Sequence, residues 1–218
     1  MSLDPKAHRL FVEGPSDGAV VNKLVLRRLG VDLAPKARQI VSAGGNSAGG
    51  FQWVRDQLEA ALVTRKFERF GAVIDRDAVD GKPDRWLSVR ELLGAHGVAV
   101  GELSPSGFLG VTGWGARIGI WVMPDNGSPG DLESFLEGLV PAGAQDWPWA
   151  GEAAETAQAL GAAYQAVHAR KARFHTWLAW RDPPGSPYGT AIEARQLGES
   201  SPAADAFVGW FGRLFLEP

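Results

Sequence analysis

The run FGAVID, residues 70–75, is the feature that most limits what this chain can fold into. It is apolar without a break and then turns acidic at Asp75, Asp77 and Asp80. It is far shorter than the roughly 20 apolar residues of a membrane helix. A short, continuous apolar run suits a strand covered on both faces, as in a parallel sheet. Parallel strands need long crossovers, usually helices, and the neighbouring sequence supplies them. RLFVEG (9–14) reads as a strand ending at a Gly-Pro turn. In DGAVVNKLVLRRLG (17–30), Val20, Val21, Leu24, Val25 and Leu29 recur at helical spacing, and Gly30 closes the pattern. ARQIVSAGG (37–45) reads as a strand and a Gly-rich turn. FQWVRDQLEAALVTRKF (51–67) is an amphipathic helix with Trp53, Leu58, Ala61 and Leu62 on one side. PDRWLSVRELLGAHG (83–97) is a further helix, with Asp84 as its cap. Strand and helix thus alternate three times, the α/β pattern in which helices cover a parallel sheet.

FLGV (108–111) and RIGIWVM (117–123) add two strand-like runs around TGWGA. MPDNGSPG (123–130) is a turn, and DLESFLEGL (131–139) a helix with acids in its first turn. Residues 141–148 are dense in Gly and Pro; from 151 onward the text is helical. The organisation expected is an α/β core over residues 1–140 and a mostly helical portion over 141–218, packed on the core in one compact unit.

Composition narrows the chemistry. With no cysteine, disulfides, thiolate metal sites and a cysteine nucleophile are excluded, so a metal would need oxygen or imidazole ligands. A formal charge of -3 argues against a general polyanion binder. Basic residues gather at Arg27-Arg28, at Arg65-Lys66 and in HARKAR (168–173). They read as solvated helix faces, with phosphate contact as the alternative. Six of the nine tryptophans lie between residues 114 and 180. They read as core; a base-stacking platform would need exposed rings beside basic groups. No long apolar run and no signal-like start are present, so a cytoplasmic protein without a membrane segment is expected.

Several familiar sites fail. SAGGNSAGG (42–50) lacks the Lys-Ser/Thr ending of a Walker phosphate loop, and GVTGWGARIG (110–119) lacks dinucleotide-binding spacing. His8, His96, His168 and His175 make no zinc-protease pattern. Ser16 and Ser42 have no supporting His-Asp arrangement. What remains is carboxylates at strand ends. Ligands of open α/β sheets gather outside the carboxyl ends of strands. Glu13 and Asp75 both sit at such ends, and they converge if their strands are neighbours. Asp77 is expected to join them through a bend after Asp75. Like charges so close need a cation or a proton between them. Oxygen ligands suit Mg²⁺ or Mn²⁺. Asp80 reads as half of an Asp-Gly turn, and Asp17 as a helix cap.

FVEG with Asp17 four residues after Glu13, then IDRD two strand-helix units later, resembles the Toprim domain of topoisomerases, bacterial primases and related nucleases. The Gly-rich turn SAGGN fits the likeness too. The resemblance covers roughly residues 8–100. It implies a Toprim-like (Rossmann-like) parallel sheet flanked by helices, with Glu13 as general acid/base and Asp75 and Asp77 as the Mg²⁺-binding pair. Gly44, Gly45 and Asn46 are the implied phosphate-contact loop. IGIWVMPDNGSPGDLESFL (118–136) and AFVGWF (206–211) are similar to an uncharacterised family of small stand-alone Toprim-like proteins. That likeness adds Glu133 to the metal set and Asp125 and Asn126 as further candidates. One departure is that the Gly-rich turn carries no lysine, so cations for a phosphate must come from elsewhere.

The expectation is therefore Mg²⁺- or Mn²⁺-dependent, nuclease-like phosphodiester chemistry on DNA or RNA. A non-catalytic module binding a metal or a phosphorylated ligand is the alternative. A phosphatase of haloacid-dehalogenase type, which also uses a strand-end Asp-x-Asp, is a third reading.

Overall fold

A computed structural model describes residues 3–4, 6–33, 40–42, 49–77 and 83–218. Five strands form one sheet: β1 (His8–Val12), β2 (Ile40–Val41), β3 (Arg69–Asp75), β4 (Phe108–Val111) and β5 (Arg117–Met123). Their order is β2-β1-β3-β5-β4. The first four in that order run parallel, with Val12 opposite Val73 and Asp75 opposite Met123. β4 is antiparallel to β5 at the edge. The short turn between them, residues 112–116, permits only that direction.

The helices are α1 (Pro15–Leu29), α2 (Phe51–Thr64), α3 (Arg85–Ala95), α4 (Leu132–Glu137), α5 (Asp146–Ala159), α6 (Ala169–Ala179), α7 (Tyr188–Glu193) and α8 (Pro202–Phe215). Gly30 closes α1 in the left-handed region, at φ 67°. The Asp84 carboxylate caps α3 by accepting from the Trp86 N–H at 3.0 Å. α5 starts at Asp146, inside the Gly- and Pro-rich stretch, and takes Pro148 into its first turn. Proline is tolerated there because first-turn N–H groups have no helical partner. The helical text of 152–171 is broken after Ala159. The chain turns at Gly161 (φ 100°) and restarts through a single 3₁₀ turn, Ala166–His168.

Side-chain alternation along the strands sorts two cores. On one face Leu10, Val12, Val73, Trp121 and Met123 pack with α1, α4, α6, α7 and α8. On the other, Phe70, Ala72, Ile74, Ile118, Ile120 and Val122 pack with α2 and α3. The helices after residue 141 therefore share a core with β1, β3 and β5. α8 lies close against the sheet. A Cβ on Gly119 would stand 2.8 Å from Leu214 Cδ2, and one on Gly71 only 2.2 Å from the Gly119 carbonyl. Trp121, Trp177 and Trp210 are fully buried, whereas Trp149 and Trp180 are exposed. The tryptophan-rich stretch thus divides between core and surface.

This topology fixes where a site can form. From β1 the chain leaves to α1 on one face; from β3 it leaves to α3 on the other. β1 and β3 are neighbours. Their carboxyl ends flank the crevice where such sheets bind ligands. No helix among the described residues is long and apolar enough to cross a membrane.

Candidate carboxylate site at the carboxyl edge

Glu13 is the first residue beyond β1, and Asp75 ends β3. The strands are adjacent, so the two meet: the Asp75 N–H donates to Glu13 Oε1 at 2.9 Å. In an unbroken strand residues i and i+2 share a face, so no bend would be needed to bring Asp77 beside Asp75. The strand instead stops at Asp75, and Asp77 takes a left-handed φ of 56°. Its carboxylate pairs with Arg85, Nη2 to Oδ2 at 2.5 Å. Arg85 also grips Glu13, with Nη1 at 2.8 and 3.0 Å from the two carboxylate oxygens. Its guanidinium lies over Phe51, 5.2 Å from the ring centroid. Glu13, Arg85 and Asp77 thus form a chain of charge on the α3 side. Between the two aspartates, Arg76 turns away. It binds Asp84 and the Asn126 and Gly127 carbonyls, tying the β3 exit to the loop after β5.

On the α1 side the environment is more acidic. Asp17 is not the cap of α1; Gly14 holds that position. Asp17 lies in the first turn and is buried. Burial first, then the Glu13 and Glu133 charges, push its carboxyl up to about 7, against the pull of backbone N–H groups. Glu13 is also raised, chiefly by burial, with Arg85 opposing. Asp75 is held well above the usual carboxylate range by burial and by Glu13, Asp17 and Asp131. Its Oδ1 is buried and accepts no hydrogen bond. A buried acceptor without a partner is costly, and that cost falls where the Glu13, Asp17 and Asp131 charges also act on Asp75.

Glu133 sits in the first turn of α4 and is buried. It accepts from the Tyr188 hydroxyl at 3.1 Å and pairs with Lys171 at 3.4 Å. The adjacent burial and Glu133 charge raise the Tyr188 hydroxyl's pKa. Asp131 caps α4 through Ser134 and pairs with Arg170. Asp125 and Asn126 are occupied elsewhere. Asp125 accepts from the Gly127 and Ser128 N–H groups and from the Ser128 hydroxyl. Burial raises its carboxyl, but these donors and Arg76 leave it lowered overall. Asn126 accepts from the Val122 N–H and donates to the Pro105 carbonyl. Both side chains thus hold the turn after β5 together. Gly44, Gly45, Asn46 and Asp80 lie outside the described residues.

The structure therefore brings Glu13, Asp17, Asp75 and Glu133 into one acidic neighbourhood, and links Asp77 to Glu13 through Arg85. Residues 7–216 match a family described as "Protein of unknown function (DUF3226)". The chain belongs to the DUF3226 family. No curated protein and no solved structure matches it. The DUF3226 match runs through both the sheet and the helices beyond residue 141, so it takes in the acids together with Arg85, Lys171 and Tyr188.

Those last three residues escape sequence reasoning. Arg85 stands 72 positions from Glu13, and Tyr188 stands 55 from Glu133. The available hint to Arg85 was its place directly after the cap Asp84, at the mouth of the same crevice. For a divalent cation the donor chemistry fits: all the acids offer hard oxygen, and Asp75 Oδ1 has no other partner. The cage is not closed. Among the described residues no group of three or more His, Asp or Glu is arranged to hold a metal ion. Arg85 supplies the positive charge on the Glu13–Asp77 side instead.

Proposed function

We propose that the carboxyl edge of this DUF3226 protein is a Toprim-like site for Mg²⁺- or Mn²⁺-dependent phosphodiester chemistry, nuclease-like and directed at DNA or RNA. The observation that carries the reading is Asp75: a carboxylate with an unpartnered buried oxygen, raised first by burial and then by Glu13, Asp17 and Asp131. Such a group is relieved by a proton or by a cation. Asp75 would be the principal ligand, with Asp77 and Glu133 joining if they exchange Arg85 and Lys171 for the ion. When bound, the ion would stabilise charge on the scissile phosphate and acidify water.

The chain's own groups supply the rest. Glu13 is raised by burial and stays within reach of the same crevice, which suits a group that gives and takes a proton. Arg85 provides the cation that the Gly-rich turn lacks. Its guanidinium, now shared by two carboxylates, has the fork geometry that also matches a phosphate. Tyr188 holds Glu133 in place from α7.

The test is cleavage of single-stranded and duplex DNA and RNA with Mg²⁺ or Mn²⁺. Expected is activity that falls roughly 10²-fold or more in Glu13→Gln and is lost in Asp75→Asn. Cleavage surviving both substitutions would overturn the reading. One observation favours a second reading, a non-catalytic module for a metal or phosphorylated ligand: Arg85 neutralises Glu13 and Asp77 without any ion. Metal binding at Asp75 with no cleavage of any substrate would select it.

A further inference from the structure

The opposite edge of the sheet carries the reverse chemistry. β3 and β5 begin with Arg69 and Arg117, which stand side by side in register. Around them opens a cleft of about 560 Å³, lined by Arg65, Lys66, Phe67, Arg69, Trp114 and Arg117 among others. That volume falls within the roughly 300–1,000 Å³ of small-molecule sites. The lining holds four cations against one acid, Glu68, in a chain whose net charge is -3. Arg65 and Lys66 follow the C-terminus of α2, where a helix dipole favours positive charge. That accounts for neither Arg69 nor Arg117, which come from other segments.

Among the described residues, no aspartate or glutamate side chain pairs with these four cations. Arg69 donates to the Glu217 carbonyl and Arg117 to the Arg213 and Glu217 carbonyls, which are neutral acceptors, and Arg117 also donates to an oxygen of Pro218, the last residue of the sequence. Arg65 and Lys66 are exposed, and neither forms an ion pair among the described residues. They lie over rings instead, Arg65 5.6 Å from the Trp114 ring and Lys66 5.9 Å from Phe67. Trp114 is half-buried and stacks on Phe70 with only 12° between the planes. The walls are preformed. The Trp114 turn is fixed by the Thr112 hydroxyl and backbone, which bond Ala116 at 2.9–3.2 Å. Arg65 is set by its own left-handed cap on α2 (φ 52°). Trp114 and Phe67 thus lie beside two cations, Arg65 and Lys66, that have no acidic partner, the arrangement that flat anions recognise.

We propose that this cleft binds one nucleotide unit, its base against Trp114 and the Arg65 guanidinium and its phosphate on Lys66, Arg69 and Arg117. The site is independent of the carboxyl edge. Arg69 and Asp75 are six residues apart on one strand, about 20 Å at ~3.3 Å per residue. The unit comes either from a free nucleotide or from a single strand.

Calorimetry at low salt tests this with adenosine monophosphate, inorganic phosphate and a short single-stranded oligonucleotide. Expected is nucleotide binding tighter than that of phosphate, weakened about 10-fold or more by the surface charge reversal Arg65→Glu with Lys66→Glu. Trp114→Leu is expected to cost about 10-fold for the nucleotide and nothing for phosphate. An oligonucleotide bound more tightly, with a steeper salt dependence, assigns the unit to a strand; equal affinity assigns it to the free nucleotide. No nucleotide binding, equal affinity for phosphate and nucleotide, or binding that survives the charge reversal but vanishes in Asp75→Asn would each overturn the proposal.

Discussion

The two edges of one sheet handle charge in opposite ways. At the carboxyl edge, Glu13, Asp17, Asp75 and Glu133 are wholly or largely buried and shielded from water, so they act strongly on one another. At the amino edge, Arg65, Lys66 and Glu68 are exposed, and water screens them. Clustered charges therefore have very different consequences at the two edges. Burial turns the acids into a local strain on the fold, relieved by Arg85, Lys171 and protons. Exposure leaves the cations free to meet a ligand at little cost to stability. The comparison teaches that stability measurements report on the carboxyl edge and binding measurements on the amino edge.

Substitutions sharpen this contrast in descending order. Arg85→Ala removes the guanidinium that joins Glu13 to Asp77 and leaves Glu13 without its cation. Breaking such a pair costs about 3 kcal/mol, read as a lowered midpoint in urea unfolding at pH 8. Asp17→Asn acts in the other direction. The folded-state value is about 7, against 3.8 for the unperturbed group. Between those values the folded protein holds a proton that the unfolded chain has released. Stability therefore falls as pH rises through that window and stays reduced above it. Asn removes the penalty, so the variant gains on the order of 2 kcal/mol at pH 8 and nothing at pH 3.5, as thermal melts across pH would show. Tyr188→Phe leaves buried Glu133 without its hydroxyl donor and costs about 1 kcal/mol. At the amino edge, Arg65→Ala with Lys66→Ala changes stability by no more than about 0.5 kcal/mol. A large loss there would break the comparison.

The contrast also marks where sequence reading succeeds. β3 was legible because a strand buried on both faces carries no polar residue from Phe70 to Ile74. α1 and α3 were legible through their spacing and their stop and cap, Gly30 and Asp84. Glu13 and Asp75 were legible as a pair because both end strands, and adjacency of β1 and β3 then brings them together. Strand order itself is a matter of long-range packing and leaves no local trace. Arg85 and Tyr188 reach the acids from other elements for the same reason. Asp17 reads locally as a cap, yet Gly14 takes that place and the acid turns inward. Asp125 and Asn126 entered as candidates through the likeness of the MPDN stretch to Toprim-like proteins. Their hydrogen bonds to Ser128, Val122 and Pro105 use them as turn supports.

The central claim is that the buried acids around Asp75 form a cation site. The most direct measurement is calorimetric titration of Mn²⁺ into the wild-type protein and Asp75→Asn at pH 8, where the carboxyls are least protonated. The account predicts one-to-one binding in the wild type that weakens as pH falls below 7 and disappears in Asp75→Asn. Equal binding by the two proteins, or none by the wild type, would contradict it.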